Sequence, residues 1–571
     1  MSNGISTPNG FQLPKAISFE EEDERRTSLP IRSSLSQSES LECAQLVELV
    51  DGEGTILYYP RDLNIEVGDV FFLRERLNEG QIEDGQVENG IIVQMISLGI
   101  ASYPQADTKA LFRLMVRVRA SILERSHNEP SEVIDEFLLA KFKIRASITN
   151  GKWNPPSGKV VTRNVDIFWL DPSILALQIF EEVDGLNINL GDYKEAPVAF
   201  FGGGFEKINL ITGMKGGGKS HIAKGIISES LGSRMSAIVF DINNEYRGLP
   251  NSFAFIPGQD LRFRLDRIKA KTFFEMIDRL APFAERTSQV ARAKLPDIIR
   301  ARIDDDKTVP DLEFLCSQVA NVIMTRGEPG TNMRASYEST FRVLGSYNLI
   351  MTEAQARAED EFIRGKAESP KVVSLSSVLY NIEHGNAGII IFDIGGLSQL
   401  VQYVVVDLIL DTLKEICHRQ TEAYKKGSIK VPNYPTIYFE EAHMYMEPKV
   451  IDELLPLIRH HGMNVFFITN TPGALPDSVF RLMDNLVMTR MLNRQDIDQV
   501  KNCGLTDSET IEGFASNLRE YHALLLSSLG GATNNFPLVF HVRDFGLPKS
   551  GETRSMWNAL RNKALKESTD S

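Results

Sequence analysis

No run of apolar residues in the chain approaches the roughly 18 to 20 that a helix needs to cross a bilayer, so no membrane-spanning helix is expected. Cysteine is scarce. Cys43, Cys316, Cys417 and Cys503 stand far apart without metal-ligand spacing and read as reduced thiols of a cytosolic protein. The opening stretch MSNGISTPNGFQLPKAISFEEEDERR lacks a basic segment followed by an apolar one, so secretion is not expected either. Positive charge is in deficit, with 62 Lys and Arg against 76 Asp and Glu and a net charge of -14. That balance argues against a protein that wraps the outside of DNA, although net charge speaks to solubility and long-range attraction and leaves room for a ring that is basic only in its channel.

What is present is a phosphate loop. The stretch NLITGMKGGGKSHIAKGI contains the full G-x-x-x-x-G-K-[ST] pattern at Gly213, Gly218, Lys219 and Ser220, with further glycines at Gly216 and Gly217. An apolar run precedes it from Ile208 to Thr212, and helical spacing follows, which is the strand, loop, helix context of a triphosphate site. Glycines let backbone N–H groups turn inward, and the helix start adds its positive end. The nucleotide-binding residues expected are therefore Gly213, Met214, Lys215, Gly216, Gly217, Gly218, Lys219, Ser220 and His221. Lys219 would reach the β and γ phosphates, and the Ser220 hydroxyl would serve a magnesium ion.

At 571 residues the chain calls for two to four domains. Residues 1–42, rich in Ser, Pro, Glu and Arg, read as a mobile tail. Residues 43–175 carry short β-rich runs such as QLVELV, GDVFFLRER, FRLMVRVRASIL and VTRNVDIFWL, which predict a small antiparallel barrel or sandwich with a helical piece near Val133 to Lys143. Residues 176–258 and 384–548 alternate buried strands and helices in the manner of a doubly wound α/β core. Between them, residues 259–383 lose the β signal and predict a helical insertion, and residues 549–571 read as a C-terminal tail or helix.

The second half of the site is TIYFEEAH, an apolar strand running into two carboxylates. A strand end is rigid, so Glu440 is assigned to the metal and Glu441 to the attacking water, the alternative being a solvated acidic turn. His443 is either a coupling residue or a structural histidine. Asn470, ending the next strand, is either a γ-phosphate sensor or a turn residue. Arg459 and Arg490 are candidate arginine fingers reaching a neighbouring subunit, or solvated surface arginines. Asp241 and Glu245 in FDINNEY line the nucleotide pocket, or Asp241 caps a turn.

At these residues the chain resembles the HerA family of hexameric ATPases, relatives of the FtsK DNA pumps, from about residue 45 to about 548. LGDYKEAPVAFFGGGFEKINLITGMKGGGKS resembles the family's approach to its phosphate loop, VFDINNEY its strand ending in Asp before Gly-Glu-Tyr, FEEAH its Asp-Glu-Ala-His, and IRHHGMNVFFITNTPGALP its Gly-Arg-Lys to Thr-Gln-Arg-Pro run. Glu440 stands where the family has Asp, Asn244 and Gly217 where it has Gly and Ser, Asn470 and Thr471 where it has Gln and Arg. Arg459 matches the arginine of Gly-Arg-Lys, which favours it over Arg490 as the finger.

The resemblance implies an α/β fold with a RecA-like P-loop core, a helical insertion and a preceding HerA-type β-barrel. It implies a cytoplasmic ATPase using ATP and magnesium, assembled as a homo-oligomeric ring, expected to be a hexamer, with double-stranded DNA in the pore. A separate effector, a nuclease or a sirtuin-like NADase, would dock on the barrel side in DNA processing or anti-phage defence. The other function class open to the sequence is an ATP-dependent scaffold that organises such an effector without moving DNA, which the acidic balance and altered sensor residues favour. A small-molecule kinase lacks both an arginine-rich lid and an acceptor pocket in the sequence.

Overall fold

The computed structural model describes residues 41, 43–60, 63–75, 89–100, 138–149, 152–156, 165–180, 185–232, 235–323, 331–384, 388–527 and 536–547. The chain divides into two compact units between Gln178 and Ile179. The expected tails, Leu41 excepted, and the run FRLMVRVRASIL lie outside the described residues.

In the first unit, β1 (Ala44–Val50), β2 (Glu53–Tyr58), β3 (Val70–Glu75), β4 (Gly90–Ile100), β5 (Leu138–Thr149), β6 (Lys152–Asn154) and β7 (Val165–Trp169) form one antiparallel sheet in the order β1-β2-β5-β4-β3-β7, with β6 paired to β5. A helix, α1 (Pro172–Ile179), follows. The two ends of that order share one core, with Leu46 of β1 and Ile167 of β7 packed in the same cluster as Phe71, Val93 and Phe142. The Leu41 N–H donates to the Ile167 carbonyl at 2.8 Å, yet no ladder joins β1 to β7 among the described residues, so the expected barrel is seen as a half-barrel sheet. The helix expected near Val133 to Lys143 is corrected over its described part, which is strand β5. Ala140 and Phe142 face the core, while Lys141 and Lys143 both reach Glu53 on β2, at 3.2 and 2.6 Å. Period-two burial held by cross-strand ion pairs overrode the local helical spacing.

The second unit is built on an 11-stranded sheet. Its elements in chain order are β8 (Asn187–Tyr193), β9 (Ala196–Phe201), β10 (Ile208–Thr212), α2 (Lys219–Gly232), β11 (Ala237–Asp241), β12 (Ser252–Phe255), β13 (Leu261–Arg262), α3 (Ala270–Leu280), α4 (Glu285–Asp304), α5 (Leu312–Ser317), α6 (Val319–Ile323), α7 (Thr331–Ser346), α8 (Glu353–Ile363), β14 (Val373–Ser374), α9 (Leu375–Glu383), β15 (Ile389–Asp393), α10 (Gln399–Lys425), β16 (Thr436–Glu440), α11 (Pro448–His461), β17 (Asn464–Thr469), α12 (Asp477–Leu482), β18 (Asn485–Met488), α13 (Arg494–Lys501), α14 (Ser508–Asn517), β19 (His522–Ser527) and β20 (Leu538–Val542). The sheet order is β12-β15-β11-β16-β17-β10-β18-β19-β20-β8-β9. Strands β12 to β18 of that order run parallel, and β19, β20, β8 and β9 continue it antiparallel.

The parallel strands INLIT, AIVFD, TIYFE, NVFFIT and NLVM are almost continuously apolar because crossover helices cover both faces. Residues NINLGDY form β8. None of the described helices is long and apolar enough to cross a membrane.

The helices from α3 to α8 leave and re-enter the unit between β13 and β14, which pair in parallel. Arg264, just after β13, closes that neck. It donates to Asp266 at 3.0 Å, to Glu359 at 3.2 Å and to Asp360 at 2.6 Å, and the other Glu359 oxygen accepts the Ser374 N–H at 2.6 Å. Breaking a buried ion pair from one side costs about 3–5 kcal/mol because a charge is stranded. Arg264→Ala is therefore expected to lower the unfolding free energy by that order, with Glu359→Gln in the same chain recovering part of it; a denaturation midpoint equal to wild type would refute this closure.

Candidate active site

Strand β10 lies between β17 and β18, and the chain leaves it to build β11 three strands away. This is a topological switch point, where ligands of parallel α/β sheets bind beyond the carboxyl ends of the strands. The phosphate loop rises there. Gly216 and Gly218 have φ of 79° and 91°, a region that favours glycine. At Gly213 and Gly217 the constraint is space: a Cβ would fall 1.8 and 2.7 Å from the Thr489 hydroxyl. Gly217, where the HerA-family pattern carries Ser, is thus matched to Thr489. The loop base is tied to the end of β18 by the Met214 N–H, which donates to the Arg490 carbonyl at 2.8 Å.

Lys219 opens α2 with its ammonium buried in the loop, donating to the carbonyls of Gly213 and Met214 at 3.2 and 3.1 Å. Burial lowers its pKa, and Glu441, Glu245 and Glu440, in that order, act against the fall. Ser220 follows, half-buried in the first helical turn, while Met214, Lys215, Gly216 and Gly218 are exposed. The His221 ring faces elsewhere: its Nε2 lies 3.0 Å from the Arg543 carbonyl and the ring packs on Phe545.

The carboxylates come from the strand ends. Glu440 ends β16, and Glu441 turns away with φ 50° and ψ 49°, a left-handed conformation uncommon for a non-glycine residue. That turn delivers its carboxylate to the end of β17. The Thr469 hydroxyl donates to Glu441 Oε2 at 2.6 Å, and the Asn470 N–H donates to Oε1 at 3.2 Å. Asn470 therefore contributes its main chain here; its side-chain oxygen accepts from Thr471. His443 Nδ1 stands 3.7 Å from Glu441 Oε2.

Glu440 is 3 % exposed, and its Oε2 has no hydrogen-bond partner. Burial first, then the neighbouring Glu245 and Asp241, hold its pKa well above the carboxylate range. Asp241 serves the main chain, its two oxygens accepting the N–H groups of Asn243, Glu245 and Tyr246 at 3.2, 3.1 and 2.9 Å, and its side chain also hydrogen-bonds that of Glu440. It shapes the turn that carries Glu245. Asn244 within that turn has φ 59°, which explains how Asn stands where the HerA-family pattern has Gly.

The two candidate finger arginines are placed here by their backbone. Arg459 lies in the last turn of α11, which runs from the carboxylate edge back to the start of β17; its side chain is outside the described residues. Arg490 presents its carbonyl to the loop, and its residue is exposed.

Sequence reasoning missed Thr469, Thr489 and Lys224. The threonines had a signal, since INLIT, NVFFIT and NLVMT all end an apolar strand with the same hydroxyl residue. Lys224 is buried one turn beyond the loop, 5.7 Å from the Tyr246 ring centroid, and burial lowers its pKa against the pull of Glu245, Glu440 and Asp241.

Residues 204–413 match the family model described as helicase HerA, central domain. Over that stretch the chain carries a HerA-type P-loop ATPase domain. The match spans the phosphate loop, β11, the helical insertion and β15, and the carboxylate pair lies beyond it. No curated protein matches the chain in sequence. Among solved structures, VirB4 of Thermoanaerobacter pseudethanolicus is similar at 12 % identity and TM-score 0.42 over 64 % of this chain and 97 % of that one. The bacterial conjugative coupling protein TrwB is similar at 12 % and 0.41 over 67 % and 95 %. The packaging NTPase B204 of Sulfolobus turreted icosahedral virus 2 is similar at 13 % and 0.27 over 59 % and 99 %. Likeness at this level adds no weight to the family match.

The residues of this HerA-type domain fit ATP and magnesium. Among the described residues no group of three His, Cys, Asp or Glu could hold a metal alone. Magnesium is satisfied by one or two protein oxygens with phosphates and water, and the partnerless Glu440 oxygen beside other carboxylates is such a donor. A bound magnesium ion would offset charge on the phosphates, with Ser220 and Glu440 holding it.

The Thr469 bond generates a prediction. A charge-assisted hydrogen bond contributes about 1.5–3 kcal/mol, so Thr469→Val should lower kcat roughly 10- to 100-fold with the KM for ATP near wild type, and Thr469→Ser should restore most of it. Equal kcat in Thr469→Val and wild type would show that Glu441 does not depend on this hydroxyl.

Proposed function

We propose that this HerA-type ATPase works as a ring, a hexamer, that hydrolyses ATP to move double-stranded DNA through its pore, and that it acts with a separate effector, a nuclease or a sirtuin-like NADase, in DNA processing or anti-phage defence. On this reading the second unit is a RecA-like motor core, and the N-terminal sheet is the HerA-type barrel, the side on which the effector docks. The Leu41 to Ile167 bond between the two ends of that sheet supports the barrel assignment.

The observation that carries hydrolysis is the fixed Glu441 carboxylate, held by Thr469 and Asn470 and acting on the Lys219 ammonium. Glu441 orients the attacking water and takes its proton. Loop N–H groups and Lys219 hold the β and γ phosphates while the bond between the γ-phosphorus and the β-γ bridging oxygen breaks and ADP departs. The family sensor residues are replaced at Asn470 and Thr471, but a main-chain N–H does the holding, and every residue type except proline supplies one. Arg459 is proposed as the finger that serves a neighbouring subunit's site.

ATPase rates with and without duplex DNA, on wild type and Glu441→Gln, test the motor. DNA-stimulated hydrolysis that falls at least about 100-fold in Glu441→Gln is expected. A DNA-indifferent rate in a chain that still assembles with its effector would sink the motor and leave an ATP-dependent scaffold.

A further inference from the structure

Three residues on one face of α2, His221, Gly225 and Glu229, recur every fourth position and meet a single short segment, Arg543 to Phe545, which follows β20. The His221 Nε2 lies 3.0 Å from the Arg543 carbonyl, and the His221 and Phe545 ring centroids are 5.1 Å apart. Arg543 pairs with Glu229 and lies 5.0 Å over the Phe545 ring. Gly225 is buried in mid-helix, where glycine costs about 0.5–1 kcal/mol relative to alanine. A Cβ there would fall 2.2 Å from the Phe545 ring, so the ring occupies the space that a side chain would need. On its other side the segment is anchored to the antiparallel end of the sheet: the Arg543 N–H donates to Leu190 at 3.2 Å and the Val542 N–H to Tyr521 at 2.7 Å.

We infer that Arg543 to Phe545 form a positioning strap for the phosphate-loop helix, with Phe545 seated on Gly225 as its central contact. This rests on the ATPase reading of the loop. Lys219 and Ser220 are the first residues of α2, and His221, the next one, is under the strap. The strap therefore sets where the phosphate-binding end of the helix sits, and a loosened helix holds the phosphates less well. Glu441 is held separately, by Thr469 and Asn470 from β17. Loosening the strap accordingly weakens ATP binding and leaves turnover at saturating ATP nearly intact.

The test uses the full chain with a fluorescent ATP analogue for Kd and steady-state kinetics for kcat. Phe545→Ala is expected to raise Kd and KM about tenfold with kcat within about threefold of wild type, and Phe545→Leu to fall between. Gly225→Ala alone should weaken binding similarly by collision, and combined with Phe545→Ala it should recover most of the affinity, since the added methyl fills the space the ring vacated. Folded Phe545→Ala protein with wild-type Kd, or a double variant whose defects simply multiply, overturns the strap. A wild-type chain that neither binds nor hydrolyses ATP overturns the ATPase reading instead, whatever the variants do.

Discussion

The nucleotide site depends on β10 being gripped between β17 and β18 by a row of buried threonines. Thr212, Thr469 and Thr489 end three neighbouring strands and are at most 2 % exposed. Buried hydroxyls are costly unless bonded. Here each has an assignment: Thr212 donates to the Thr469 carbonyl at 3.0 Å, Thr469 donates to Glu441 while accepting the Thr471 N–H at 3.0 Å, and Thr489 fills the hollow over Gly213 and Gly217. Loop and carboxylate are thus tied to one sheet edge. Their relative placement is set by parallel pairing of five residues between β10 and β17, which leaves little room for independent drift.

The same edge concentrates negative charge. Strands β15, β11 and β16 are neighbours, and they end in Asp393, Asp241 and Glu440, with Asp241 directly opposite Asp393. Like charges on adjacent strands, about 4.8 Å apart, repel. Each is relieved differently. Asp393 pairs with Arg247, Asp241 takes main-chain N–H groups, and Glu440 is raised in pKa, with Lys224 as a buried cation nearby. Glu440 is the member with an oxygen that has no hydrogen-bond partner.

Much of this was legible in the sequence because the chemistry sits in short stretches. The loop and TIYFEEAH announce themselves by residue type at fixed spacing, and the parallel strands by unbroken apolar runs bounded by turns. What was not legible depends on partners distant in sequence. The Thr469 bond joins residues 28 apart and the Thr212 bond residues 257 apart, and no local pattern encodes either. The left-handed turn at Glu441 is likewise invisible, since Glu has no preference for it; the surrounding sheet imposes it. Strand β5 was misread as partly helical because LLAKF has helix-compatible spacing, and only Glu53 on β2 reveals the two-residue period.

The two holds on the site come from opposite directions along the sheet. The carboxylate is fixed from β17, inside the parallel region, while α2 is fixed from β20 through a segment at the antiparallel end. If ATP draws α2 toward its phosphates, it must also favour the strap's docked state, because a coupling free energy acts equally in both directions. A site whose two halves were held by one element would bind and turn over as a unit. With two, anything that loads the strap changes how α2 is held without disturbing how Glu441 is held, so uptake of ATP at one and chemistry at the other can be separate steps.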